Sequence, residues 1–252
     1  MSPERGETHT DTWIQSERGP VFAMLPSSAR VRHNKPAMLG KARGARVESN
    51  SDGNMADFAV RFVDGRLAGF EKDMNICLTP IDSSSRSGKT HAYFPALAAC
   101  CGLLEYMTGL EQGNTKSIGW SQVANWASRY LPQPDYEQDT IRVFFEAFRH
   151  SVAHRGIASG VWIEKVQGRA PRRVTWRVHA DSRQPACKLH AEAGELERDP
   201  PWKTRYTHRM HIHLKRLQID LRSGVEKYRE AIRIDASLRA KFESCMKQLY
   251  PP

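Results

Sequence analysis

Near the middle of the chain stands Phe148-Arg149-His150-Ser151-Val152-Ala153-His154-Arg155-Gly156. A guanidinium stays charged and offers a fork of donors that fits phosphate oxygens. An imidazole titrates near neutrality, so it can take a proton from an attacking 2′-hydroxyl or return one to a leaving 5′-oxygen. Arg149 and His154 are therefore a candidate catalytic pair, with His150 to assist or orient them. Together they would stabilise the added negative charge of a pentavalent transition state. An ideal α-helix sets residues five apart about 140° around its axis. Convergence then needs a distorted last turn or a site shared between two subunits. The competing role for Arg149 is an ion pair with Glu146 or Glu105. His154 and Arg155 would also sit well at a helix C-terminus, where cations oppose the dipole.

The spacing of Arg149 and His154, with His150 following the Arg, resembles the R-x4-6-H signature of HEPN domains. The preceding context is similar too. A helix carrying Leu103-Leu104-Glu105-Tyr106 comes first, then a second helix, then the motif-bearing helix. The resemblance covers about residues 93–156 and does not account for the rest of the chain. HEPN domains are helical bundles, often dimeric, and many are metal-independent endoribonucleases. Others have lost catalysis and only bind. The resemblance implies RNA as a partner, a homodimer with a composite site, no cofactor and no metal. It also implies a bacterial defence, stress or toxin setting, with an antitoxin-like protein as a further partner.

Other constellations compete with this one. Trp162, Trp176 and Trp202 lie among Arg169, Arg172, Arg173, Arg177, Lys203 and Arg205. Aromatic rings interleaved with bases stack on unpaired nucleotides. Arg155, Arg173, Arg177, Trp202, Lys203 and Arg205 are thus the candidate nucleic-acid contacts, while alternation favours Trp176 in the core. His211-x-His213 sits on an expected strand, so both rings share a face. With His179 or His190 as third ligand they would suit Zn²⁺. No carboxylate stands at a recognisable ligand spacing, so an exposed polar face is the preferred reading and no metal is assigned. Ser87-Gly88-Lys89-Thr90 matches the end of a P-loop, but Ser83 stands where that loop needs Gly.

These residues need elements to position them. Residues 55–81 read as short strands, with Phe58, Val60 and Phe62 alternating and Asp64-Gly65 as a hairpin turn. Three helices follow, over about 93–109, 120–131 and 136–155. Asp135 caps the third, with Gln138 completing a capping box. Strands are expected at 161–166, 173–179, 187–191 and 207–213, with a polar loop over 195–203. Helices over 214–234 and 237–249 close the chain. The fold class is α+β: a HEPN-like helical core with an antiparallel β-sheet and C-terminal helices. Residues 1–54 lack apolar periodicity and read as a disordered or non-native extension. Met55 is then the natural start or the boundary of a single domain, 55–252.

Composition bounds the partners. The 252 residues carry a net charge of +10, with 40% hydrophobic and 26% charged side chains, which excludes a membrane-embedded bundle. Residues 156–252 hold 20 Lys or Arg against 11 Asp or Glu, so the expected strands and terminal helices carry nearly all the excess. That favours an anionic partner. Five cysteines without a C-x-x-C read as buried reduced thiols, hence a reducing compartment. The first twenty residues lack a secretory core segment, and the most apolar run, 92–107, is short for a bilayer. A cytoplasmic protein with no membrane partner is expected. Three functions stand open: a HEPN-type ribonuclease or RNA binder, a non-catalytic dimeric interaction module with a basic surface, and a metal-dependent hydrolase using His211 and His213.

Overall fold

The computed structural model describes residues 51–80, 91–149, 160–164, 168, 170–196 and 203–251. In chain order they form α1 (Ser51–Leu78), α2 (Tyr93–Gln112), α3 (Trp120–Tyr130) and α4 (Gln138–Phe144), which continues as a π-helical turn (Phe145–Arg149). Then come β1 (Trp162–Glu164), β2 (Arg172–His179), β3 (Cys187–Leu196) and β4 (Thr204–His213). Last are α5 (Leu214–Ile234) and α6 (Ala236–Leu249). The protein is α+β, as its pattern implies. No helix among the described residues is long and apolar enough to cross a membrane.

The strands expected over 55–81 are instead the 28-residue α1. Alternation over Phe58, Val60 and Phe62 spans too few residues to set a period. The longer row Ala59, Val63, Leu67, Phe70, Met74 and Cys77 steps by three or four and is buried throughout. Asp64-Gly65 makes no hairpin; Asp64 takes an ion pair from Arg229 of α5 at 3.1 Å. Because α1 begins at Ser51, the boundary set at Met55 falls within its first turns. The expected extension otherwise lies outside the described residues.

α2, α3, α5 and α6 keep nearly their expected bounds, and the helix expected over 136–155 is described only as far as Arg149. α3 and α5 meet at Gly224, where a Cβ would stand 2.7 Å from Leu131 Cδ2 and 3.1 Å from the Trp126 ring. Trp126 is fully buried and cannot yield. Gly→Ala in a helix interior ordinarily gains about 1 kcal/mol, whereas overpacking costs about 1–3 kcal/mol. Gly224→Ala is therefore expected to destabilise by about 1 kcal/mol, seen as a lower urea midpoint at unchanged slope.

Asp135 does not cap α4. The N-cap is Glu137, with no side-chain hydrogen bond. Tyr136 is drawn into the core instead, its hydroxyl donating to the buried Asp220 carboxylate at 2.9 Å. Burial pushes that phenol well above its usual range, so it stays a donor.

The sheet runs β1-β2-β4-β3. It is mixed rather than wholly antiparallel, since β2 and β4 pair in parallel. Period-two alternation is the same in both arrangements, so it could not reveal this. Nor is 195–203 all loop, because β3 runs to Leu196 and β4 starts at Thr204. One face, with Val174, Val178, Met210, Ile212 and Cys187, is buried in the core. Trp176 packs there too, edge-on to Phe148 at 5.1 Å, which joins the motif-bearing helix to the sheet. An ion-pair network fastens the same join. Arg172 of β2 grips Asp139 of α4 through two bonds of 2.7 and 3.0 Å. Both Arg172 and Arg142 also bind Glu164 of β1, which is 5% exposed.

Candidate functional site

Arg149 ends the π-helical turn. Its Nε and Nη2 donate to the two oxygens of Glu105 on α2, at 3.1 and 2.7 Å. The guanidinium also lies 5.7 Å from the Phe145 ring centre. The Glu105 hydrogen bonds hold its proton more tightly than usual. Its side chain is 32% exposed, so solvent reaches it. Of the two ion pairs weighed from the sequence, the one to Glu105 is formed. The helix does leave ideal geometry near the motif, and π-turns recur at functional sites. His150, His154 and Arg155 lie outside the described residues, as do Trp202 and the Ser87-Gly88-Lys89-Thr90 segment.

The remaining expected contacts fall on the sheet, on the face turned away from the apolar core. Alternation along β2 puts Arg173, Thr175, Arg177 and His179 in one row. Register sets Thr175 beside Arg209, Arg177 beside His211 and His179 beside His213 of β4. On β3, Lys188 lies opposite His211 and His190 opposite Arg209. At the far end Lys203 and Arg205 both approach Glu195, each at 3.5 Å, and both remain largely exposed. The predicted basic strand residues therefore share one surface, while Arg149 belongs to another part of the fold.

Four imidazoles cluster at the other end of that surface. His179 stacks on His213 with centroids 4.7 Å apart and rings 13° from parallel. It stacks on His211 at 5.4 Å and 8°, and its Nε2 lies 3.2 Å from His211 Nδ1. His190 meets His211 edge-on at 5.5 Å. Burial, then the neighbouring His213, lowers the His179 pKa. Burial, followed by His179 and His190, lowers that of His211 to about 4. The sequence reading assigned no carboxylate to this group. The structure supplies one: Asp181 Oδ1 pairs with His213 Nδ1. Burial raises the Asp181 carboxyl, but the His213 hydrogen bond and Arg183 outweigh it and hold the carboxyl below its usual range. The missed signal is His179-x-Asp181, which crosses a strand end and so has no strand period of its own.

The five cysteines are free and buried, as expected. Burial pushes the Cys101 thiol up to about 12, which leaves it unreactive. A separate groove of about 480 Å³ lies between α1 and α5, lined by Asn75, Thr79, Lys215, Gln218 and Arg222 among others. None of the predicted site residues lines it.

No protein-family model, curated protein or solved structure gives a significant match to this chain.

Proposed function

We propose that this chain is an RNA-binding protein of HEPN type that holds unpaired RNA on the polar face of its sheet. The observation that supports this is the one-sided chemistry of β2, β3 and β4. One surface gathers Arg173, Arg177 and Lys188 with the rings of His179, His190 and His211, while Arg209 on the same face is held by Glu192 at 2.6 Å. Guanidinium and imidazole planes stack on splayed bases, and cations neutralise phosphates. Five free thiols suit a reducing cytoplasm.

Binding is favoured over cleavage because Arg149 is committed to Glu105. A phosphate would have to displace a bidentate carboxylate to reach it. Metal-independent cleavage by Arg149 and His154 is the second reading, favoured by the solvent-reachable guanidinium on a π-turn. A dimeric module without RNA is the third.

The test is fluorescence anisotropy of a labelled single-stranded RNA with the full chain, over a range of salt and in chelator. The double variant Arg173→Ala with Arg177→Ala is expected to bind at least about 10-fold more weakly. Its log–log salt slope should fall by about 1.4, two single-strand phosphate contacts. Parent-like binding by the double variant, or no RNA binding by the parent, refutes this use of the sheet. RNA cleavage lost in both Arg149→Ala and His154→Ala would instead establish the nuclease.

A further inference from the structure

We propose that His179, Asp181 and His213 form a binding site for a divalent first-row transition-metal ion, with coordination positions left open for water or an oxyanion. Each residue offers one ligand atom, and the three atoms lie within 4.8 Å of one another. Two nitrogens on a tetrahedral ion with bonds of about 2.0–2.1 Å stand about 3.4 Å apart. Closing the set needs the stacked His179 and His213 rings, now 13° from parallel, to turn toward a shared point.

The backbone brings the three residues together. Parallel pairing of β2 with β4 puts His179 beside His213 at the strand ends. Asp181 follows two residues later, and its carbonyl accepts from the Lys215 amide at 3.1 Å. The His213 amide donates to the Ala186 carbonyl at 2.8 Å, so the segment between β2 and β3 is tied to the start of α5 at two points. Such tethering orders the donors before any ion arrives.

His211 supports the set from outside. Its Nδ1 faces His179 Nε2 at 3.2 Å, so one ring donates and the other accepts. An outer hydrogen bond of this kind fixes the tautomer and orientation of a ligating imidazole. Arg183 holds the second Asp181 oxygen at 3.1 Å, but its side chain is 78% exposed and solvent screens it. Two histidines and one carboxylate suit Zn²⁺ in hydrolytic sites and Fe²⁺ in oxygen-using ones. Arg177 and Lys188 both register with His211, and their charge would draw an oxyanion such as phosphate to an open position.

The test uses the full untagged chain, stripped with chelator and titrated calorimetrically with Zn²⁺, and with Fe²⁺ under anaerobic conditions. No RNA is present, so the outcome is separate from the proposed function. One ion per chain is expected. His179→Ala, Asp181→Asn and His213→Ala should each weaken binding at least about 100-fold, and His211→Ala about 10-fold. His208→Ala, one strand position from the His211 row, should bind like the parent. The buried thiols do not compete. Co²⁺ absorption reads the donor set directly in any variant that folds poorly for calorimetry, and folding is checked by circular dichroism. Failure of the parent to bind either ion overturns the site, as does parent-like binding by the three ligand variants.

Discussion

Glu164→Gln is expected to destabilise the protein by about 3 kcal/mol, the cost of removing one partner from a buried charge cluster. For a chain of this size that corresponds to a melting temperature lower by about 10 °C. Glu164 accepts from both Arg142 and Arg172, and it is almost wholly buried. Without it the two guanidinium groups share Asp139, and Arg142 keeps only a longer pair with Glu146 at 3.6 Å. The same cluster sets an acid limit. Arg172 first, then Arg142, holds Asp139 down at about 2 against an ordinary value of 3.8. A carboxyl depressed in the fold stabilises above its unfolded pKa and loses that contribution as pH falls through the folded one. The loss therefore runs from about pH 4 down to about pH 2. Asp139 is nearly half exposed, so its share is about 1 kcal/mol after solvent screening. Melting curves at stepped pH check this. Asp139→Asn should flatten the decline in that window, and an unchanged acid profile would refute the assignment.

Phe148→Ala is expected to cost about 4 kcal/mol, within the range for emptying a buried aromatic site. The ring is fully buried, 5.6 Å from Phe144 and 5.1 Å from Trp176. It is an apolar link between the motif helix and the sheet. Its loss should also loosen Trp176, so indole fluorescence should change alongside the fall in stability. Denaturant unfolding followed by circular dichroism and by fluorescence tests both points. Coincident transitions at the parent midpoint would show that the helix and the sheet do not depend on this contact.

Legibility in the sequence followed the range of the forces involved. α2, α3, α5 and α6 each carry several turns of apolar periodicity and meet their expected bounds within a few residues. α1 was misread because a five-residue alternation was taken before the longer three-and-four row was counted. The order of the strands was hidden because side-chain alternation says which face is apolar, not which strand lies alongside. Arg173, Arg177 and Arg205 were named as nucleic-acid contacts, and strand register sets all three on the polar face of the sheet. The partner of Arg149 was also within reach, since Glu105 lies on the neighbouring helix of the same apolar packing. The Asp139–Glu164–Arg172 network and the Asp181–His213 pair were not. Asp139–Arg172 and Asp181–His213 join residues 33 and 32 apart through tertiary contact, and no local spacing announces such a pair.

β4 passes into α5 without a connecting residue: His213 ends the strand and Leu214 opens the helix. Hinges use loop or element-terminal residues, and here any bend falls on His213 alone, whose amide is tied to the Ala186 carbonyl. Strand and helix thus behave mechanically as one bent rod. A pull on the His213 ring is delivered along α5 to its packing against α1 and α3, rather than absorbed where it is applied.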